Sequence, residues 1–464
     1  MPRASRTAGL LLLAVVALAA RVGTVWLVGV AGAGPRTYEH GEIADNLLAG
    51  RGFSVRFLGA EGPTSQQAPF YPVLLAGAYR MFGHGTTAWA AVELLQCLVG
   101  MGTVLTVVWL GWSLAPERPA AGWLAGWFLA LYPPQVYSVT HLQVVSWASG
   151  LVVLLLAVVA APRLASRWRG AWLAGLVGGG LLLVEPILVL ALPWAALWLG
   201  AQVRRAGLSR GTAIARMTAM TVACLALIAP WLVRNYRVHG EVVFVKSTFG
   251  YAFWQGNNAR SLGTDKLPRS GAEQLLTAHD GTLRGMNEAL WKARHQTFYI
   301  DDVLLTREDY QQLAALGEPA RSRLLLGRAL DDIGRDPLAY VERCLRRLRY
   351  FLLFDETNPK ASNLVYRVST VAWLSLCALG LAWGWLGGKR CWALWGVLAS
   401  VTLFHALVIT SVRFRMPLEP LALVCASVTL TRAASEWRNA IAAGATPSLT
   451  ALAFRLRPFG RSAA

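Results

Sequence analysis

The sequence predicts an all-α, polytopic membrane protein with about ten transmembrane helices. Of its 464 residues, 55% are hydrophobic and only 15% are charged, whereas soluble domains contain about 25% charged residues. Apolar segments long enough to cross a hydrocarbon core of about 30 Å recur along the chain. The 20 tryptophans fit aromatic belts at the two membrane interfaces.

The first apolar segment, about 8–30, follows Arg3 and Arg6 as the core of a signal peptide would. It is long enough to span the bilayer, so we interpret it as an uncleaved first helix. Arg21 within it is expected either to snorkel to the headgroups or to pair with an acid of the functional site. Further spans are expected at about 88–114, 119–137, 141–161, 213–233, 366–386, 392–411 and 418–431.

The apolar stretch 172–201 is interrupted by Glu185-Pro186, and proline breaks a helix. Dividing the stretch into a hairpin of two short helices brings the total to ten and places the basic clusters on one side, as the positive-inside rule requires. Both chain ends then lie in the cytoplasm. These clusters are Arg3/Arg6, Arg163/Arg167/Arg169, Arg204/Arg205/Arg210/Arg216, Lys389/Arg390 and Arg432/Arg438.

Two long regions, about 31–87 and 234–365, are too polar to span and are expected on the extracytoplasmic side. The second holds 16 of the 25 acidic residues and includes two predicted helices, 318–334 and 337–354. The chain is therefore divided into an N-terminal transmembrane module 1–233 with the outer loop 31–87, a mixed extracytoplasmic region 234–365, C-terminal transmembrane helices 366–431 and a basic cytoplasmic tail 432–464.

Two function classes are disfavoured by composition. The net charge of +19 does not indicate nucleic-acid binding, because the basic residues flank apolar segments and form no continuous stripe. The six cysteines form no CxxC or metal-ligand spacing, so neither a disulfide framework nor a zinc site is implied.

The first outer loop contains a dense acidic segment, 38–48, with Glu39, Glu42 and Asp45. Thr37 is a suitable N-cap and Gly50 a suitable stop, which predicts a short helix with Glu39 and Glu42 on one face. An acid near a low-dielectric boundary can act as a general base because partial burial raises its pKa. A surface helix with dipole-favoured acids in its first turn would look the same.

The run 39–54, which begins Glu39-His40-Gly41-Glu42, resembles the first-loop signature of bacterial glycosyltransferases with the GT-C fold. This group is related to the protein O-mannosyltransferases and the lipid A aminoarabinose transferase. Further segments resemble the group in the same order along the chain: 62–64, 68–76, 81–83, 131–133, 230–236, 256–258 and 413–420.

The resemblance implies a hexosyl- or pentosyltransferase in the bacterial inner membrane. It would move a sugar from a polyprenyl-phosphate donor to a glycan, lipid or protein acceptor on the extracytoplasmic face, with inversion. The first-loop base maps to Glu39 or Glu42. Arg413 and Arg415 lie on a short turn between the last two helices and are candidates for the lipid phosphate, which arginine binds in bidentate geometry, or for interfacial anchoring.

One feature departs from the family pattern. Many relatives carry a second acid between the third and fourth helices, whereas 137–146 has no carboxylate here. His141 or Gln143 could substitute, although His141 is equally suited to an interfacial position. A two-carboxylate metal site is therefore in doubt, and no metal ligand is assigned, although a divalent metal stays possible. Asn257 is a candidate for acceptor contact, with a plain turn as its alternative.

Two other functions remain open at this stage. A lipid-carrier flippase or transporter would share the apolar segments, but the sequence shows no inverted repeat. A non-catalytic envelope assembly protein would keep the fold without the base.

Overall fold

The computed structural model describes residues 3–28, 37–267, 272–387 and 390–443. The described part is built of α-helices with two short two-stranded antiparallel sheets. The elements of the N-terminal half are α1 (Arg3–Val28), α2 (Tyr38–Leu48), β1 (Ser54–Phe57), β2 (Ala60–Pro63), α3 (Phe70–Phe82), α4 (Thr86–Leu114), α5 (Ala120–Leu131), α6 (Pro133–Ser138), α7 (Val145–Ala160), α8 (Pro162–Ala165), α9 (Trp168–Val184), a 3₁₀ turn (Pro186–Ala191), α10 (Leu192–Arg205) and α11 (Arg210–His239).

The second half begins with smaller elements and ends with three long helices. These elements are α12 (Phe249–Asn257), β3 (Lys266–Leu267), α13 (Ala272–Thr277), α14 (Leu283–His295), β4 (Phe298–Tyr299), α15 (Ile300–Leu304), α16 (Arg307–Ala314), α17 (Glu318–Arg335), α18 (Pro337–Leu352), a 3₁₀ turn (Pro359–Ser362), α19 (Leu364–Gly387), α20 (Trp392–Leu407), α21 (Val412–Arg415), a 3₁₀ turn (Met416–Leu418) and α22 (Glu419–Ala442).

Four helical segments are long and apolar enough to cross a membrane, and five shorter apolar helices accompany them in the described part. The apolar stretch 172–201 is broken after α9, where the sequence predicts. Glu185 adopts an extended backbone, and Pro186 starts the 3₁₀ turn that leads into α10. The four long segments are Ala4–Val28, Thr86–Leu114, Pro186–Arg205 and Arg210–His239.

Glycines allow the apolar helices to approach each other closely. A Cβ on Gly111 of α4 would lie 2.6 Å from the Cα of Gly122 on α5, and a Cβ on Gly122 would lie 2.5 Å from the carbonyl oxygen of Val108. A side chain of any size would therefore collide at either position, and glycine lets the two helix backbones approach closely, which favours the van der Waals packing that drives helix association in lipid. The two helices are thus held together by backbone contact.

Arg21 of α1 follows neither sequence expectation. Only 2% of its surface is exposed, and its guanidinium donates to the carbonyl oxygens of Ala17, Leu129 and Ala130. These backbone acceptors take the place of lipid headgroups or an acidic partner. Arg21 therefore ties α1 to the C-terminal end of α5.

The first polar loop and the region after α11 form one layer at one end of the apolar helices, which we call the polar layer. Ile43 of α2 and Phe57 of β1 share a buried apolar core with Trp254, Ile300 and Leu325. The predicted helices 318–334 and 337–354 are found as α17 and α18, whereas α3 and the β1–β2 hairpin were not predicted. Of the expected tail 432–464, residues to Ala442 continue α22, and 444–464 lie outside the described residues.

A buried ion pair joins the polar layer to the last apolar helix. The Arg415 guanidinium and the Glu419 carboxylate lie 3.0 Å apart, with 1% and 0% of their side chains exposed. Arg415 also donates to the carbonyl oxygens at the end of α18, and Glu419 accepts from Tyr132 and Gln135. Three separate parts of the chain thus meet at this pair.

We expect Glu419→Gln to lower the free energy of unfolding by about 3 kcal/mol or more, because removing one charge leaves Arg415 buried without compensation. Thermal unfolding of the detergent-solubilised protein measures the change. Glu241→Gln is the matched control, since its pair with Arg323 is 40% and 61% exposed and should contribute little. Equal midpoints for both variants would contradict this account.

Candidate active site

The acidic segment 38–48 forms α2, as predicted, and ends before Gly50, which has φ +75°. The expected N-cap is wrong in its detail, because the Thr37 side chain makes no capping hydrogen bond. It packs against Gly41 instead, where any Cβ would collide with the Thr37 hydroxyl. The start of α2 is therefore set by packing.

The two candidate bases differ in their surroundings. Both carboxylates are exposed, but the Glu42 carboxylate accepts a hydrogen bond of 2.7 Å from the backbone N–H of Arg56, which ties α2 to β1. The Glu39 carboxylate makes no hydrogen bond to the described part of the chain. Among the described residues, therefore, Glu42 has a structural contact and Glu39 has none.

Arg413 and Arg415, alike in the sequence, have opposite environments. Arg415 donates from all three of its guanidinium nitrogens to protein acceptors, so it is committed to the fold. Arg413 is exposed and forms no ion pair with a described residue. Of the two expected phosphate ligands, only Arg413 is placed to bind one.

Lys246 joins Glu39 and Arg413 from the segment before α12. Burial lowers the pKa of the Lys246 ammonium, and the positive charge of Arg413 acts in the same direction. The carboxylates of Glu185 and Glu39 act on the same ammonium in the opposite direction. The Lys246 amine also donates to the side chain of Gln67 over 3.2 Å. The charges of two acids and of a second cation therefore act on Lys246.

Asp265 adds a carboxylate that the sequence analysis missed. Its oxygen lies 2.5 Å from the Lys266 amine. Burial opposes ionisation of Asp265, but the charges of Lys266 and then Arg413 outweigh it and lower the pKa of this carboxyl. We call Glu39, Lys246, Asp265 and Arg413 the charged cluster. Nothing in the local sequence around Lys246 or Asp265 marks either residue, since their partners come from distant segments.

The other two predicted binding residues lie inside the protein. His141 is 7% exposed, and its ring packs against Tyr137 and Trp291 at centroid distances of 4.8 and 5.3 Å. Asn257 is fully buried at the end of α12, where its side chain donates to the Val408 carbonyl and accepts from Arg347. Neither is placed to contact a substrate directly. Asn257, for which a plain turn was the alternative, is the last residue of α12.

No metal site is evident in the described residues, which contain no group of three or more His, Cys, Asp and Glu residues able to hold an ion. The loop between α6 and α7 lacks the second acid that many relatives of the GT-C group carry. It presents His141 to an aromatic cluster instead. Gln143 in the same loop is also buried.

Solved structures identify the architecture. The apo oligosaccharyltransferase of Archaeoglobus fulgidus matches 97% of this chain with a TM-score of 0.53 at 15% identity. The chain has the GT-C fold. The same archaeal enzyme tethered to an acceptor peptide matches with a TM-score of 0.52 at 15% identity, over 98% of this chain and 53% of that one. ArnT from Cupriavidus metallidurans bound to undecaprenyl phosphate matches at 18% identity with a TM-score of 0.41, over 94% and 81% of the two chains.

The GT-C fold and the apolar helices make this a multi-pass membrane protein, which confirms the predicted fold class. The chain spans about half the length of the oligosaccharyltransferase, 54% of it. No protein-family model and no curated protein sequence matches the chain. At 15% identity the likeness establishes the fold, and the chemistry has to be argued from the site.

His40, between the two candidate bases, is buried against Tyr71 with ring centroids 5.1 Å apart. Burial lowers the pKa of His40 to about 3, and the positive charges of Lys246 and Arg413 add to this effect. His40 is therefore neutral at physiological pH and cannot serve there as a general acid.

The low pKa of His40 predicts a pH dependence of stability. An unfolded chain protonates this histidine below a pH of about 6.5, whereas the folded chain does so only near pH 3, so His40 destabilises the fold as the pH falls through that window. The thermal midpoint of His40→Gln should therefore fall less between pH 8 and pH 5 than that of the wild type. His84→Gln, at an exposed histidine 3.3 Å from Asp45, is the control and should not flatten the slope. If the thermal midpoints of the wild type and His40→Gln changed equally with pH, the low pKa of His40 would be refuted.

Proposed function

We propose that the protein is a membrane glycosyltransferase that moves a sugar from a polyprenyl-phosphate donor to an acceptor, with Glu39 as the general base. The observation that carries this proposal is the charged cluster on a GT-C fold. Glu39, a first-loop carboxylate with no hydrogen bond to the described residues, acts electrostatically on Lys246, as does Arg413, although the two cations come from segments about 200 and 370 residues further along the chain.

The chemistry of this transfer fits the cluster. Glu39 would take the proton of an acceptor hydroxyl as its oxygen attacks the anomeric carbon, and the bond to the phosphate oxygen would break in the same displacement, with inversion. The leaving group is a lipid phosphate, which needs charge stabilisation more than protonation. Lys246 and Arg413 would supply that charge as it develops on the phosphate.

Glu39 is preferred to Glu42 as the base because of their contacts. The Glu42 carboxylate already accepts a hydrogen bond from the Arg56 N–H, which commits one of its oxygens to a structural contact. Glu39 has no such donor in the described structure and interacts electrostatically with Lys246. The assignment leaves Glu42 with the role of holding the β1–β2 hairpin on α2.

The charge pattern of the loops supports an extracytoplasmic site in a bacterial inner membrane. Basic clusters follow α7, around Arg163, and α10, around Arg204, whereas the charged cluster is built from the polar layer and α21. Cytoplasmic loops carry an excess of lysine and arginine. The acceptor, whether a glycan, a lipid or a protein, would then reach Glu39 from the aqueous side.

We expect Glu39→Gln to reduce sugar transfer by a factor of 100 or more, since general-base catalysis contributes about 10²–10⁴-fold. Purified protein is supplied with radiolabelled undecaprenyl-phosphate sugars and an extract of envelope lipids and glycans, and labelled product is counted. Glu42→Gln is the matched control and should retain most activity.

Full transfer by Glu39→Gln would exclude Glu39 as the base. The same donor in sealed vesicles tests the flippase alternative, because a flippase would move the labelled lipid across the bilayer without cleaving its sugar.

Phosphate binding is tested separately from catalysis. Arg413→Met and Lys246→Met should each weaken binding of undecaprenyl phosphate about ten-fold or more, because each removes a charge-assisted contact. Binding is measured by displacement of a fluorescent undecaprenyl phosphate in detergent micelles. Arg335→Met removes an arginine that is 77% exposed on α17 and should leave the dissociation constant unchanged. A loss of affinity in all three variants would indicate non-specific attraction of an anion.

A further inference from the structure

The residue before Glu39 has an unusual backbone. Tyr38 has φ +47°, and in the described chain Leu58 is the only other non-glycine residue with positive φ. Leu58 is explained by its place, because Leu58 and Gly59 form the two-residue turn between β1 and β2, where both positions need positive φ. Tyr38 is the first residue of α2, and no turn among the described residues accounts for its positive φ. Strained backbone that local structure does not require is found preferentially at functional sites.

The Tyr38 side chain lies in a cluster of aromatic rings. The Tyr38 ring stacks on Trp291 of α14, with centroids 6.5 Å apart and planes at 29°. The Arg294 guanidinium lies 5.2 Å from the centre of the Tyr38 ring and 5.3 Å from that of Trp291. Trp291 itself is 3% exposed, so the contact surface on α14 is fixed by packing.

The face of α14 that contacts Tyr38 also contacts α6 and the loop after it. Trp291 packs on His141, and His141 packs on Tyr137 at a centroid distance of 4.8 Å. The Tyr137 hydroxyl donates to the Asn287 side chain on α14 over 2.5 Å. Tyr137 at the end of α6 and His141 in the loop after it therefore hold α14 in place beside the start of α2.

We propose that Trp291 and Arg294 are positioning residues, which clamp the Tyr38 ring and thereby orient the Glu39 carboxylate towards Lys246 and Arg413. The backbone angle at Tyr38 sets the direction in which α2 begins, and Glu39 is the next residue. This role rests on the proposed function of Glu39 as base. It also assigns His141 an indirect part, through Trp291, in place of the substrate contact expected from the sequence.

The ring of Tyr38, and not its hydroxyl, carries the clamp. The Tyr38 hydroxyl is buried and has no hydrogen-bond partner among the described residues. Tyr38→Phe is therefore a matched control that keeps the stacking and loses only an unpaired group. Tyr38→Gly, in contrast, tolerates the positive φ but has no ring for α14 to hold.

The first arm of the test needs no substrate. Glu39→Cys is placed in a Cys344→Ser background, because Cys344 is the only partly exposed native cysteine and the other five are buried. The rate of modification by a charged maleimide then reports the orientation of the side chain at position 39. Trp291→Ala and Tyr38→Gly should change this rate at least five-fold, whereas Tyr38→Phe and Trp291→Phe should not.

The second arm measures transfer with Glu39 in place. Trp291→Ala should lower kcat about ten-fold or more without a matching change in the KM for the donor, because a small displacement of a catalytic group is costly to rate. Trp291→Phe should restore kcat. The double variant Tyr38→Gly/Trp291→Ala should be no worse than either single variant, since both remove the same contact. Arg294→Met replaces Trp291→Ala in both arms if the latter fails to fold.

The outcomes separate this proposal from the proposed function. Unchanged labelling and unchanged kcat in Trp291→Ala and Tyr38→Gly would overturn the positioning role, even if Glu39→Gln is inactive. Altered labelling with no detectable transfer by the wild type would leave the clamp in place and refute the donor chemistry. Additive losses in the double variant would also count against a single shared contact.

Discussion

The Arg415–Glu419 pair is the contact on which the arrangement of the site depends. An uncompensated charge in this position would be strongly unfavourable, so the pair forces the start of α22, the end of α18 and the Tyr132–Gln135 segment to meet. Arg413 is two residues from this anchor on the short helix α21. Arg413 is exposed, and its charge acts on Lys246 and Asp265.

A second buried arginine performs a related task within the polar layer. Arg347 of α18 is fully buried and donates to the carbonyl oxygens of Ala406 and Gly256 and to the side chain of Asn257. It thereby joins α12 and α18 to the end of α20. Arg347 and Arg415 thus both have their guanidinium groups occupied by backbone and side-chain acceptors of the protein itself. Lys246 and Arg413 remain available to a ligand because the residues around them supply few hydrogen-bond acceptors.

Local signals in the sequence predicted several of the elements and part of the site, although not α3 or the β1–β2 hairpin. Proline marked the break after Glu185 and the start of α18, and the spacing of Glu39 and Glu42 placed both on the exposed face of α2. The difference between Arg413 and Arg415 could not be predicted, because the acceptors that bury Arg415 come mainly from residues more than 60 positions away. Lys246 and Asp265 were missed for the same reason. The roles of long polar side chains are decided by tertiary contacts that no local pattern contains.

The close packing of Gly41 on Thr37 has a consequence for mutational tolerance. Every other residue type would bring a Cβ into the Thr37 hydroxyl and push apart the first turn of α2, which carries both Glu39 and His40. In a saturation library of this segment, Gly41 would therefore be among the least substitutable positions, although it has no side chain with which to contact a ligand. Intolerance of substitution at Gly41 would reflect the lack of space for a side chain, whereas intolerance at Glu39 would reflect the role of its carboxylate in the reaction.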